Sequence, residues 1–268
     1  MKLYISADIE GISGVTCDAH AMQTGAQFAD ARKWMTGDVN AAIEGACEAG
    51  VTEICVKDAH GWALNILQDE IDQRATLIQG WGPEDGMMEG LTGEHDIAFL
   101  VGYHPMAGTP DGVLSHTWTG SLRSVVFNGI EIGEMGISGL FAGAHDVPIG
   151  MISTCAAGEV QAKELLPWVE TAVVKRGITR FAAELLPITR AQGLIRGAAK
   201  RAVERMAEME PLKQDEPCRV RATWDRTGQA DSCATDPEVE RVDAYTVELE
   251  AADQLGALRT LRRVLKLG

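Results

Sequence analysis

Four short, mostly aliphatic runs punctuate the first hundred residues, at 2–10, 53–57, 75–78 and 96–102. Between the first two, Ala31, Trp34, Met35, Val39, Ala42, Ile43 and Ala46 recur near helical spacing, and Gly50 offers a stop. Runs with no polar face, alternating with helices, are the pattern of a parallel sheet buried on both sides. The expected fold is α/β, a mainly parallel sheet covered by helices on both faces. Ligands of such sheets bind beyond the carboxyl ends of the strands.

Charged and imidazole side chains stand at those ends. Asp8 and Glu10 close the first run, and residues two apart on an extended segment point the same way. Two carboxylates on one side of a buried strand end repel and are costly to desolvate unless a cation lies between them. Three of the six histidines also follow apolar runs or sit in the next loop: Asp58-Ala-His60, Gly102-Tyr103-His104 and Leu114-Ser-His116. Carboxylate oxygens and imidazoles gathered from several strand ends point to a transition-metal site, zinc above all. Each residue has a plainer reading too. Asp8 and Glu10 can be solvated loop acids or caps, His60 and His116 loop histidines bonded to backbone. Glu134, at an expected helix start, suits the helix dipole. Asp58 is a candidate to orient the His60 ring.

Further along, residues 120–127 and 130–132 flank Asn128-Gly129, the preferred two-residue hairpin turn. A glycine-rich helix is expected from Glu134 to about His145, then a strand at 148–155, a helix near 158–166 and a strand near 169–175. An amphipathic helix at 189–209, a polar linker at 211–217, strands near 218–224 and 239–249 and a helix at 251–266 complete the chain. This reads as two domains, an α/β metal-binding catalytic domain over 1–188 and a smaller C-terminal α+β subdomain over 189–268.

The formal net charge of −15 leaves no basic stripe for nucleic acid, so none is expected as a partner. Acidity can draw cationic ligands such as peptide amino termini, or simply keep the protein soluble. No apolar stretch reaches 18 residues and no signal-peptide pattern opens the chain, so no membrane association is expected. The six cysteines are dispersed and read as reduced thiols, which points to the cytoplasm. Neither GxGxxG after a strand, nor GxxxxGK[ST], GxSxG or HExxH is present.

The segments Ser6-Ala-Asp8-Ile-Glu10-Gly11-Ile12-Ser13-Gly14, Asp58-Ala-His60, Gly102-Tyr103-His104, Ser115-His116, Gly133-Glu134 and Thr227-Gly228-Gln229-Ala230 run in one order along the chain. Taken together they resemble the zinc-dependent D-aminopeptidases of the DppA type. That resemblance implies two zinc ions per subunit held by Asp8, Glu10, His60, His104 and Glu134, with Asp8 the bridge and His116 the catalytic histidine. It implies hydrolysis, by water activated between the zinc ions, of the N-terminal peptide bond of short peptides that begin with a D-amino acid, D-alanine being the usual type. A homodecamer of two stacked pentameric rings goes with it. One departure stands out: the loop from His104 to His116 is a residue longer than the family pattern, with Asp111 the insertion. Two other readings of the cluster are a two-metal amidohydrolase or phosphoesterase, and a metal- or peptide-binding module without turnover.

Overall fold

The computed structural model describes residues 1–82 and 84–268, and two sheets organise them. The larger has seven strands: β1 (Lys2–Ala7), β2 (Glu53–Asp58), β3 (Ala75–Ile78), β4 (Ile97–Val101), β7 (Ile149–Cys155), β8 (Glu170–Thr179) and β9 (Ala182–Leu185). Their order is β3-β2-β1-β4-β7-β8-β9, parallel throughout except that β9 runs antiparallel to β8. Every residue of β4 is buried, as a central parallel strand requires.

The two faces of this sheet carry separate cores. Leu3, Ile5 and Ala7 of β1 join Ile97, Phe99 and Val101 of β4 under helices α2 (Phe28–Glu48) and α5 (Ile188–Glu204). On the other face Tyr4, Ala98, Leu100 and Ile152 meet α3 (Glu134–Ala144), α4 (Ala156–Leu165), α7 (Gln254–Leu267) and the second sheet. The mainly parallel α/β fold read from the sequence is therefore the fold observed.

The smaller sheet is antiparallel, in the order β11-β12-β10-β5-β6. It joins β5 (Leu122–Phe127) and β6 (Ile130–Ile132) to β10 (Cys218–Trp224), β11 (Val239–Arg241) and β12 (Thr246–Ala251), with the short α6 (Thr227–Cys233) between β10 and β11. The expected boundary at 188/189 follows neither sheet. β5 and β6 lie before it, yet β5 pairs with β10 and carries β6 at the sheet edge, while α5, just after it, packs its stripe of Ala191, Ile195, Ala198 and Ala202 on the larger sheet. An apolar stripe seeks the nearest apolar face, whatever its place along the chain. The single strand expected over 239–249 is two strands, because Asp243 Oδ1 accepts hydrogen bonds from the amides of Tyr245 and Thr246 and makes a turn. All six cysteines are free. Among the described residues no helix is long and apolar enough to cross a membrane.

Register sets the site. Ala7 pairs with Asp58 on one side and Val101 on the other, so β1, β2 and β4 end level. Asp8, the segment to His60 and the segment to His104 leave the sheet at one edge.

Candidate metal centre

The loop after β1 turns back over the sheet, with Gly11 N donating to the Gly102 carbonyl at 2.7 Å. A side chain at Gly11 would collide with backbone, since a Cβ there would lie 2.0 Å from the Tyr103 carbonyl oxygen. The short helix α1 (Asp18–Ala21) then brings the Ala21 carbonyl against His60. Glu134 opens α3, directly after β6. His116 arrives on the long loop between β4 and β5. Asp111 in that loop takes φ 55°, and its carbonyl oxygen lies where Gly177 has room only because it lacks a Cβ. The loop bends there, and His116 reaches the cluster.

All six residues singled out from the sequence converge. His60 Nδ1 lies 3.2 Å from Asp8 Oδ1 and 3.0 Å from Glu10 Oε2. His104 Nε2 lies 3.4 Å from both Asp8 Oδ2 and Glu134 Oε1. His116 Nε2 is 3.8 Å from the same Glu134 oxygen, and its ring stacks on His104 with centroids 4.0 Å apart. Two sets, Asp8–Glu10–His104 and His104–His116–Glu134, each offer ligand atoms within 4.8 Å of one another. Asp8 presents one oxygen towards His60 and the other towards His104, the disposition a bridging carboxylate needs.

Orientation of the rings is the telling detail. The outward nitrogen of each histidine meets a backbone carbonyl: His60 Nε2 to Ala21 O at 2.9 Å, His104 Nδ1 to Pro105 O at 3.0 Å, His116 Nδ1 to Leu114 O at 2.8 Å. A carbonyl only accepts, so those nitrogens carry the proton and a neutral ring turns its lone pair inward. Inward lie carboxylates, of which Asp8 Oδ2 and Glu10 Oε2 are buried without a hydrogen-bond partner; the Glu10 oxygen is near His60 Nδ1 but badly aligned for a bond. Lone pairs facing carboxylates require a proton or a metal ion between them. Backbone carbonyls fixing the far nitrogen are the usual support of metal-bound imidazoles.

Protonation in the metal-free cluster follows the same logic. Burial and the adjacent Glu10 push the Asp8 carboxyl up to about 7. Burial acts to raise Glu10 as well, but His60 outweighs it and holds Glu10 well below the carboxylate range. Burial acts to lower His104, yet Glu134 and Asp8 drive it up to about 10. His60 is likewise driven well above its ordinary value, against burial, by Glu10 and Asp8. His116 moves the other way, lowered by burial and by its neighbour His104. Without a cation the cluster has to borrow protons, and a divalent ion can take their place. The donor set of carboxylates and imidazoles suits zinc.

A profile of the D-aminopeptidase family matches residues 1–263. The chain belongs to that family. It is 32% identical over 262 residues to the D-aminopeptidase of Bacillus subtilis (strain 168), covering 97% of this chain and 95% of that one. Among solved structures it is similar to the Zn-dependent D-aminopeptidase DppA from Bacillus subtilis, described as a self-compartmentalizing protease. There the TM-score is 0.97 at 31% identity, over 100% of this chain and 97% of the other.

In this D-aminopeptidase the cluster opens into a cavity of about 760 Å³ whose wall includes Asp8, Glu10, His60, His116 and Glu134. His104 lies beneath, 2% exposed. Much of the rest of the wall was not foreseen from the sequence, including Met22, Gln23 and Thr24 after α1, Trp62, Trp81 and Trp118, and Arg262 and Lys266 of α7. Asp58 also behaves differently from expectation. Its carboxylate accepts from the amides of Asn65 and Ile66 and from Asn65 Nδ2, pinning the turn that follows His60, while the ring itself is oriented by Ala21. Lys175 and Asp38, buried beneath the first loop, were missed as well. A lysine inside the apolar run Ala172-Val-Val-Lys175 was the available signal.

Proposed function

We propose that the chain hydrolyses the N-terminal peptide bond of short peptides that begin with a D-amino acid, of the D-alanine type, using two zinc ions per subunit. Asp8, Glu10, His60, His104 and Glu134 would hold them. The observation that carries this reading is the set of inward lone pairs: three imidazoles, each tethered by its far nitrogen to a backbone carbonyl, face buried carboxylates. Zinc bound there supplies Lewis-acid polarisation of a carbonyl and brings the pKa of water towards neutrality.

His116 does the proton work. Its Nδ1–H is committed to the Leu114 carbonyl, so only Nε2, on the cavity side, can exchange a proton with substrate or water. Burial and His104 keep the ring neutral near pH 7, ready to accept a proton and then return it to the leaving amine. The Trp118 amide donates to Glu134 Oε1 at 2.6 Å and holds that carboxylate facing His104. The wall of Trp62, Trp81 and Trp118 gives the peptide an apolar surface beside the reacting centre. The D preference rests on family membership. By analogy with the self-compartmentalizing relative the chain assembles to enclose its sites, and the family resemblance implies a decamer of two pentameric rings.

Metal content measured per subunit beside cleavage of D-Ala-D-Ala and L-Ala-L-Ala tests the reading. Zinc near two per subunit, cleavage of the D-peptide alone, and loss of turnover with chelator are expected. Undiminished hydrolysis by the metal-stripped protein, or preference for the L-peptide, would refute it. Light scattering on the intact protein checks the assembly.

A further inference from the structure

The loop that carries Asp8 and Glu10 is gripped from below by a buried cation. Lys175, on β8, is 2% exposed, and its ammonium donates three hydrogen bonds to backbone carbonyls of one loop: Glu10 O at 2.5 Å, Ile12 O at 2.8 Å and Val15 O at 2.7 Å. An ammonium has three donors, and all three are used. The partners lie 160 to 165 residues away along the chain, so neither local sequence nor helix or sheet pairing accounts for the contact. A second buried charge holds the same loop from another element. Asp38 of α2 accepts from Ser13 N at 2.8 Å and from Ser13 Oγ at 2.7 Å. Carbonyls at 10, 12 and 15 point to the cation while the amide and hydroxyl of 13 point to the anion, which fixes the loop against rotation in both senses.

We infer that Lys175 is a positioning residue of the active centre, setting the Asp8–Glu10 loop so that both carboxylates face His60 and His104. The inference rests on the proposed metal centre and goes beyond it to a residue that touches neither metal nor substrate. Burying an ammonium costs desolvation even when its donors are satisfied, and a methionine of similar length would fill the space without that cost, leaving the three carbonyls without this donor. A fold that needed only packing would not place a lysine there. Each carbonyl bond it makes is charge-assisted and stronger than a neutral one. Displacing a metal ligand by a few tenths of an ångström impairs ion affinity and the geometry of attack more than it impairs peptide binding in the open cavity.

The test is Lys175→Met beside the wild type, with circular dichroism to verify the fold. Three readouts apply: zinc affinity by competition with a chromophoric chelator, the visible spectrum of the Co²⁺-substituted protein, and kcat and KM for D-Ala-D-Ala. The folded variant is expected to lose at least about tenfold in zinc affinity, to show an altered Co²⁺ spectrum, and to lose kcat with KM changed less than about threefold. Wild-type affinity, spectrum and kcat in the folded variant would overturn the inference. Should Lys175→Met not fold, Asp38→Asn, which weakens the opposing grip with no change of volume, is expected to shift the Co²⁺ spectrum and kcat in the same direction, and unchanged values there would overturn it. A wild-type protein that binds no zinc or Co²⁺ would instead sink the metal centre, and the role of Lys175 with it.

Discussion

The two sheets treat charge in opposite ways. In the larger sheet the central strands are covered on both faces, so water meets them only near their ends, and there Asp8, Glu10, His60, His104 and Glu134 crowd together with little solvent to shield them. The smaller sheet keeps one face wet. Along β10, Cys218, Val220, Ala222 and Trp224 are buried, while Arg219 and Arg221 point outward to Glu248 and Glu250 of β12. Charges that water can screen pair loosely and are worth little. Charges removed from water must be answered by something specific, whether proton, metal or ammonium. The smaller sheet still serves the site, because β6 hands directly into α3 and so delivers Glu134 to the edge of the larger one.

That contrast can be broken by substitution. The largest effect is expected at Asp8, whose two oxygens face both halves of the cluster. Asp8→Ala should lose metal together with activity, a drop beyond the roughly 100-fold typical of residues that merely support a ligand. Zinc content and turnover of the purified variant decide it, and full occupancy would deny the bridging role. His116→Ala should separate the two properties. Metal is retained while kcat falls by about 10²–10⁴-fold, and wild-type turnover in that variant would remove His116 from catalysis.

Acidity sharpens the comparison next. In the metal-free protein His104 is raised to about 10 and Asp8 to about 7, so the folded cluster holds protons that the unfolded chain releases earlier. A raised histidine stabilises fully below its unfolded pKa near 6.5 and stops doing so as pH climbs through its folded value. Asp8 acts in the same direction, because its folded carboxyl also binds protons more tightly than the unfolded one. The chelated protein should therefore lose thermal stability between about pH 6.5 and 8, below the range in which the buried ammonium groups of Lys175 and Lys57, both lowered to about 8, act in the opposite sense. Zinc, which displaces those protons, should bind about tenfold more tightly per pH unit for each proton released. Melting curves with and without chelator test this, and a chelated protein that grows more stable across the window would contradict it. The smallest effect belongs to the wet ladder. Arg221→Ala should change stability by less than about 1 kcal/mol, shrinking further in high salt, with turnover untouched. A larger loss in denaturant melts would show that the outer face of β10 is covered in the assembled protein.

Much of this was legible from residue order. Short apolar runs gave the parallel sheet, and the acids and histidines that closed them gave the site, because strand ends and periodicity are local properties that survive in one dimension. The hairpin at Asn128-Gly129 was legible for the same reason, since turn chemistry resides in the two residues themselves. The split of 239–249 into β11 and β12 was less visible: it depends on one aspartate side chain meeting two amides, in a stretch whose composition otherwise continues a strand. Which sheet α5 joins was invisible, since an amphipathic helix declares that it has an apolar face and not where that face will go.

The sequence alone determined that carboxylates and imidazoles would meet at one edge of a parallel sheet. Tertiary structure decided how they meet. Only folding brought the Ala21 carbonyl to the far side of His60 and so turned its other nitrogen inward, and only folding set Lys175 beneath three carbonyls of a loop 160 to 165 residues away. Ring orientation and loop bracing come from contacts between segments distant along the chain. Their geometry is fixed by how the layers pack, and no residue carries it by itself.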